Sequence, residues 1–229
     1  MGAAAGVSGL LLPTAASAGR ASVLVIGGSA MFGSLGRILA EDLGHAGYLA
    51  VREAKVSSGL ARPDFFDWPA CARALYAAHR PVATVCMFGG NDGQGLYMGK
   101  DADPPWIRWH EPGWSQEYGD RVQALLDAVT PRNEHVFWLG MPMMASQDRT
   151  VRMHRLNQIV GDRVRQLPRG SFLDTWQLLA NAKGRYARTI RVEGKRVTVR
   201  AKDGVHFTRG GSTLIANHVI PIVRATMGV

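Results

Sequence analysis

Short apolar runs that end in glycine constrain the fold of this chain more than any other feature. Residues 22–26 (SVLVI) lead into Gly27-Gly28, residues 82–88 (VATVCMF) into Gly89-Gly90, and residues 135–139 (HVFWL) into Gly140. Runs with almost no polar residue are typical of strands that are covered on both faces, as in a parallel sheet. Each run therefore predicts a buried strand that ends in a tight turn.

Between these runs the apolar residues recur at the spacing of amphipathic helices. Residues 35–43, 69–79 and 123–128 indicate three helices, residues 153–167 indicate a fourth, and a last helix begins near Gly211. Shorter strands are predicted at residues 49–51 and 171–173. Strands that alternate with helices in this way predict a three-layer α/β protein. A central parallel sheet of about five strands would lie between helices in the flavodoxin-like arrangement.

Two segments interrupt this alternation and predict insertions. Residues 92–118 are rich in Gly, Pro and Trp and predict a long loop with aromatic side chains. Residues 187–201 alternate apolar and polar side chains on either side of Glu193-Gly194, which predicts a β-hairpin. The length of 229 residues fits one α/β domain with such insertions, and we assign that domain to residues 19–229.

The first eighteen residues carry no charged side chain and end in Ala16-Ser17-Ala18. A small, apolar stretch before an A-x-A site is typical of a signal peptide, whereas the missing basic residues leave a disordered, alanine-rich tail as the alternative. We expect one of these two at residues 1–18. A signal peptide predicts that the protein is periplasmic or secreted.

Composition excludes several classes of protein. With 46% apolar and 20% charged residues the chain is neither disordered nor of low complexity, and it has no apolar stretch long enough for membrane insertion as a helix. The net charge is +9, but most basic residues are arginines distributed along the chain, so we expect no nucleic-acid partner. Cys71 and Cys86 form neither a metal-ligand cluster nor a disulfide framework. We therefore expect no metal and no cofactor.

Polar residues that can perform chemistry lie near the predicted carboxyl ends of strands, where ligands of an open parallel sheet gather. Ser29 follows the first strand, and Asn91 follows the third strand and can donate to an oxyanion. Asp203 lies three residues before His206, a spacing at which a carboxylate can hold an imidazole so that its Nε2 deprotonates a serine. Taken singly, these residues also fit a helix cap, a turn or a surface position.

The glycines of the first turn also suggest a dinucleotide site, but Gly27, Gly28 and Gly33 do not form the G-x-G-x-x-G fingerprint. The pattern that remains is a serine, an aspartate and a histidine in that order along the chain. This order favours nucleophilic catalysis over dinucleotide binding.

Four blocks of sequence resemble those of the SGNH (GDSL-like) hydrolases, in particular their small exported or periplasmic bacterial members. In the family's order, the blocks are Gly27-Gly28-Ser29, Ser57-Ser58-Gly59-Leu60, Gly89-Gly90-Asn91-Asp92 and Asp203-Gly204-Val205-His206-Phe207. The resemblance implies that Ser29 is the nucleophile, His206 the general base and Asp203 the acid that orients it. It also implies an oxyanion hole made of the Ser29 and Gly59 backbone N–H groups and the Asn91 side chain. The family usually has aspartate before the nucleophile, where this chain has Gly28.

Aromatic residues cluster directly after Asn91, at positions 97, 106, 109, 114 and 118. Flat rings are natural platforms for sugars, so we expect Trp106, Trp109 and Trp114 to bind substrate, although the packing of a long insertion explains them equally well. The sequence thus predicts a serine esterase that cleaves an O-acyl ester, in particular acetyl, on a carbohydrate or polysaccharide.

Two alternatives stay open at this point: a polysaccharide O-acetyltransferase with the same triad, and a catalytically weakened glycan-binding module of the same fold. The partners expected for the esterase are an acylated carbohydrate and the machinery of polysaccharide biosynthesis or export.

Overall fold

The computed structural model describes residues 19–228, so the expected signal peptide or tail at residues 1–18 lies outside the described residues. The elements are, in chain order, β1 (Ser22–Gly27), α1 (Ser29–Phe32), α2 (Ser34–His45), β2 (Leu49–Ala54), α3 (Trp68–His79), β3 (Ala83–Met87), β4 (Leu96–Tyr97), β5 (Trp106–Ile107), α4 (Trp114–Val129), β6 (His135–Leu139), α5 (Gln147–Arg165), β7 (Gly170–Leu173), β8 (Thr189–Val192), β9 (Lys195–Thr198) and α6 (Arg209–Met227).

Five strands form the central sheet in the order β2-β1-β3-β6-β7, and every pair in it is parallel. Counted among the sheet strands alone, this is the order 2-1-3-4-5 of flavodoxin-like folds. The chain leaves β1 toward one edge of the sheet and returns to the other side of β1 as β3. The switch point of the topology therefore lies between the carboxyl ends of β1 and β3.

Burial explains why the strand runs are so apolar. All six residues of β1 and all five residues of β3 are buried, because helices cover both faces of the sheet centre. Helix α2 packs against α6, whereas α4 packs between α3 and α5. Right-handed crossovers place these two groups on opposite faces. The prediction of a three-layer α/β fold with about five parallel strands is confirmed.

Of the two predicted insertions, the structure confirms the β-hairpin but not the long aromatic loop. The hairpin is confirmed: β8 and β9 pair antiparallel around Glu193 and Gly194, which both have positive φ as a tight hairpin turn requires. The aromatic segment is not one long loop. Residues 96–107 contain the short β4–β5 ladder. Helix α4 already begins at Trp114, inside the segment predicted to be an insertion, and Trp114 and Tyr118 lie on its buried face.

Among the described residues, no helix combines the length and the apolar character that crossing a lipid bilayer requires.

Candidate active site

The turn after β1 places Ser29 at the switch point. Gly27 has φ of +154°, and a Cβ there would overlap the carbonyl oxygen of Met87 at the end of β3, so only glycine fits. Gly28 then caps α1, and Ser29 is the first residue of this four-residue helix. A first helical residue has no intrahelical acceptor for its backbone N–H, which leaves the Ser29 N–H available to a ligand.

His206 reaches Ser29 from the loop that precedes α6. Its Nε2 lies 2.9 Å from Ser29 Oγ, and its Nδ1 lies 2.7 Å from Asp203 Oδ2. The other carboxylate oxygen, Oδ1, accepts from the backbone N–H groups of Val205 at 2.8 Å and of His206 at 2.9 Å. The structure thus links three residues that are up to 177 positions apart into one hydrogen-bonded chain.

The hydrogen bond from the His206 imidazole, together with the two backbone N–H groups, holds the pKa of Asp203 well below its usual range. The carboxylate is therefore ionised at neutral pH and acts only as an acceptor. An ionised acceptor on Nδ1 fixes the tautomer of His206 in which Nε2 is free to accept a proton from Ser29.

A buried arginine supports the loop that carries His206. Arg200 is only 1% exposed; its guanidinium donates to the carbonyl oxygen of Met143 and lies 5.0 Å from the ring centroid of Phe207, the residue after His206. Burial lowers the pKa of Arg200 to about 10, which still leaves it charged at neutral pH. Nothing in the sequence distinguishes Arg200 from the other arginines, so this contact was not predicted.

Asn91 and the loop around Gly59 face the same point from β3 and from the loop after β2. The Asn91 side-chain amide donates to the Ser58 carbonyl oxygen at 3.0 Å, and its second N–H is left for another acceptor. The backbone N–H of Gly59 donates to no acceptor among the described residues. Gly28 lies close to the hydrogen bond between Asn91 and Ser58. A Cβ on Gly28 would be 3.1 Å from the Ser58 carbonyl oxygen and 3.9 Å from Asn91 Nδ2.

Asp92, which follows Asn91, anchors this loop and was given no role by the sequence argument. It is fully buried, and its carboxylate accepts from the Ala61 N–H at 2.9 Å and from the Tyr118 hydroxyl at 3.0 Å. Burial raises the pKa of Asp92, while these hydrogen bonds oppose that shift. The carboxylate ties the 59–61 loop to α4 and so fixes where the Gly59 N–H points.

Four predicted residues share one cleft of about 540 Å³: Ser29, Asn91, Asp203 and His206. Arg149, in the first turn of α5, lines the same cleft and was not predicted. Its side chain is exposed, and no carboxylate among the described residues forms an ion pair with it. A smaller, mostly apolar recess of about 30 Å³ opens beside Ser29 and is lined by Met87, Phe88, Met141 and Phe207, among others.

The structure does not bring the three tryptophans to this cleft. Trp114 is fully buried, stacks on Tyr118 with ring centroids 5.2 Å apart, and donates from Nε1 to the Gln94 carbonyl oxygen at 2.8 Å. Trp109 is 8% exposed and packs edge-on against Trp114. The expectation that these two rings bind a sugar is wrong, because both are buried: Trp114 begins α4, and Trp109 lies in the loop before that helix. Trp106 is 36% exposed on β5, beside Tyr97 and Arg62.

Among residues 19–228, no three His, Cys, Asp or Glu side chains converge as the ligands of a metal ion would.

Several solved structures share the fold of this chain. A GDSL-like lipase from Bacteroides thetaiotaomicron is 13% identical over 90% of this chain and 88% of that chain, with a TM-score of 0.60. A carbohydrate esterase of family 3 from Talaromyces cellulolyticus is 12% identical (91% and 99%, TM-score 0.60). A variant of an acetyl xylan esterase from Geobacillus stearothermophilus is 16% identical (91% and 94%, TM-score 0.57).

This chain therefore has the fold of the SGNH hydrolases, as the resemblance of the four sequence blocks implied. The chain belongs to the DUF459 family, described as proteins of unknown function, whose family model matches residues 22–222. No curated protein matches the sequence.

Proposed function

We propose that this protein is a serine esterase that cleaves an O-acyl ester, in particular acetyl, on a carbohydrate through an acyl-enzyme on Ser29. One observation carries the proposal: the hydrogen-bonded chain from Asp203 through His206 to Ser29, with distances of 2.7 and 2.9 Å. A serine hydroxyl is activated when a base lies within hydrogen-bond distance of it and an acid orients that base.

In the first half of the reaction, Ser29 Oγ attacks the ester carbonyl carbon while its proton moves to His206 Nε2. The negative charge that forms on the carbonyl oxygen is stabilised by the N–H groups of Ser29 and Gly59 and by the Asn91 amide. The bond to the sugar oxygen then breaks, and His206 gives the proton to that leaving oxygen. The products are a free sugar hydroxyl and an acyl group on Ser29.

In the second half, His206 takes a proton from water, whose oxygen attacks the acyl carbonyl. The tetrahedral intermediate collapses, the bond to Ser29 Oγ breaks, and Ser29 regains its proton from His206. The carboxylic acid leaves. Asp203 stays ionised in both halves and stabilises the imidazolium that forms twice.

The small recess beside Ser29 supports a short acyl group. Its small volume of about 30 Å³ and its mostly apolar lining suit the methyl group of an acetyl ester. The open cleft on the other side, with about 540 Å³, leaves room for a sugar as the alcohol part. Structural neighbours that act on acetylated xylan support the same assignment.

Labelling with a fluorophosphonate, combined with hydrolysis of p-nitrophenyl acetate, tests the proposal. Wild type should be labelled on Ser29 and should hydrolyse the ester, whereas Ser29→Ala should do neither. Ser34→Ala is the matched control, since the Ser34 hydroxyl bonds Ser212 at 2.7 Å and does not line the cleft. A Ser29→Ala variant that is still labelled and still active would overturn the proposal.

The same experiment separates the two alternatives. An acetyltransferase would be labelled on Ser29 but would release little acetate until an acceptor sugar is added, and the acetyl group would then appear on that sugar. A glycan-binding module would not be labelled at all. The location outside the cytoplasm, and a link to polysaccharide biosynthesis or export, stay predictions that fractionation of the native cells would test.

A further inference from the structure

The positive charge of this protein is concentrated in one segment, contrary to the expectation of an even distribution. Residues 183–202, which we call the basic hairpin, contain eight basic side chains and one acidic side chain. These twenty residues carry seven of the nine net positive charges of the chain. Seven of the eight basic side chains are exposed, and only Arg200 is buried. The basic hairpin therefore presents a dense cationic surface.

The hairpin holds these charges against their mutual repulsion. In the β8–β9 register, Arg191 lies directly opposite Arg196. Like charges at paired positions destabilise a two-stranded sheet, and no carboxylate among the described residues forms an ion pair with either side chain. Among the described residues, the Arg191 guanidinium donates only to the Gly194 carbonyl oxygen, at 3.1 Å. An anion bound between them would remove this repulsion.

A cleft is present where such an anion would bind. It has a volume of about 500 Å³ and is lined by Arg191 and Arg196 from the hairpin and by the 180–182 segment opposite them. The guanidinium group binds carboxylates through two parallel hydrogen bonds, so a pair of arginines suits a ligand that carries carboxylates.

The basic hairpin is joined directly to the loop that carries His206. The chain that leaves β9 runs beside the His206 segment: the Ala201 N–H donates to the His206 carbonyl oxygen at 2.8 Å, and the Thr208 N–H donates to the Val199 carbonyl oxygen at 3.2 Å. Arg149 lines the cleft that contains Ser29 and has no acidic partner among the described residues. A cationic group therefore stands within the cleft whose His206 loop is joined to the basic hairpin.

We propose that the basic hairpin binds a polysaccharide that carries carboxylate groups, and that this acidic polymer bears the ester cleaved at Ser29. The inference rests on the proposed function and names its substrate class. Arg191 and Arg196 bind carboxylates on sugar units that lie further along the polymer than the sugar that carries the ester. Arg149 faces the charged sugar at the reacting position.

Two other polyanions fit the hairpin less well. Single-stranded nucleic acid needs aromatic side chains for base stacking, and the only aromatic residue of the basic hairpin, Tyr186, packs against the buried Arg200. Apolar anchors beside the charges strengthen binding to a membrane surface, and none of the large hydrophobic side chains exposed in the described chain belongs to the hairpin.

Binding to polygalacturonate tests the inference, with full-length protein and with Arg191→Glu/Arg196→Glu. The control is Arg37→Glu/Arg73→Glu, which changes the net charge equally at two exposed arginines of α2 and α3. We expect the dissociation constant to rise about tenfold or more in the hairpin variant, and by less than about twofold in the control.

Higher salt should weaken the binding of polygalacturonate to wild type and should affect the hairpin variant less. Equal binding by the hairpin variant and wild type would overturn the inference.

Activity measurements test whether the basic hairpin contributes to ester cleavage at Ser29. On acetylated polygalacturonate, the hairpin variant should lose about tenfold in kcat/KM through a higher KM. Its hydrolysis of p-nitrophenyl acetate and of neutral acetyl xylan should be unchanged. If wild type hydrolyses no ester but still binds polygalacturonate through the hairpin, the proposed function fails and the binding surface stands.

Duplex DNA and vesicles containing phosphatidylserine serve as competing probes. Binding of either one that is as tight as that of polygalacturonate, and equally sensitive to the hairpin substitutions, would contradict an acidic polysaccharide as the ligand. If the double glutamate variant does not fold, Arg191→Gln/Arg196→Gln removes the charges with less repulsion. That variant should also bind polygalacturonate more weakly than wild type, and unchanged binding would again overturn the inference.

Discussion

Gly59 lies against Asp92 so closely that a Cβ at position 59 would overlap the buried carboxylate. The contact joins two loops that the sequence separates by more than thirty residues, and the carboxylate in turn accepts from the Ala61 N–H. The proposed oxyanion donor at Gly59 is therefore positioned by a side chain that takes no part in the chemistry.

We expect Gly59→Ala to displace this loop and to lower kcat for p-nitrophenyl acetate by about 10²-fold, the order of effect that follows loss of one oxyanion donor. Overpacking should also cost about 1–3 kcal/mol in the free energy of unfolding. Gly44→Ala in α2 is the control, since a Cβ there meets no atom within 4 Å. Full activity of Gly59→Ala would show that the loop does not contribute a donor.

The triad predicts a graded loss of activity. Ser29→Ala and His206→Ala should each lower kcat by about 10⁶-fold, because nucleophile and base act as one unit. Asp203→Asn should lower it less, by up to about 10⁴-fold, since the amide favours the wrong imidazole tautomer but leaves both other groups in place. Steady-state kinetics on one small ester measures all three. Comparable activity in wild type and His206→Ala would exclude His206 as the base.

Asn91→Ala should lower kcat by about 10²- to 10³-fold with little change in KM, because its hydrogen bond to the substrate oxygen strengthens only in the transition state. The variant also loses the hydrogen bond to the Ser58 oxygen, so its melting temperature must be compared with that of wild type. A change confined to KM would make Asn91 a residue for binding substrate and not a donor to the oxyanion.

The ionised state of Asp203 predicts how stability depends on pH. Its pKa in the folded protein is lower than the ordinary value of 3.8, so the unfolded chain binds this proton more readily. The stabilisation from Asp203 is therefore complete above about pH 5 and is lost as the pH falls below its ordinary pKa. The difference in free energy of unfolding between wild type and Asp203→Asn should therefore be smaller below about pH 4 than at neutral pH.

Denaturant unfolding at a series of pH values measures that difference. Both proteins contain Asp92, whose raised pKa makes stability change with pH in the opposite direction, so its contribution cancels in the comparison. A difference between wild type and variant that stays constant down to about pH 2 would contradict a depressed pKa for Asp203.

The tryptophans should separate into two classes. Trp114→Ala should cost about 3–5 kcal/mol in the free energy of unfolding, as expected for a large ring with no exposed surface. Trp106→Ala, at a position that is 36% exposed, should cost much less. If Trp106 contacts a polymeric substrate, its loss should lower kcat/KM for acetylated polysaccharide and leave p-nitrophenyl acetate unaffected. Equal losses on both substrates would assign Trp106 to packing as well.

The sequence by itself determined the layers of this protein and predicted the central residues of its candidate site. Buried strands such as residues 22–26 are apolar on both faces, and helices show a three- to four-residue period, so the pattern of side chains reports burial directly. The order of Ser29, Asp203 and His206 within four blocks of sequence was likewise visible, because each of these proposed catalytic residues lies in a short local motif.

Only the tertiary structure decided which residues are neighbours across loops. Trp114 and Trp109 are core and not platforms, since their burial depends on how α4 and the loop before it pack against the rest of the chain. Asp92 and Arg200 support the site through contacts more than thirty residues away along the chain. The pairing of Arg191 with Arg196 depends on hairpin register. The physical reason is common to these cases: periodicity records whether a side chain is buried, but not which distant group it meets.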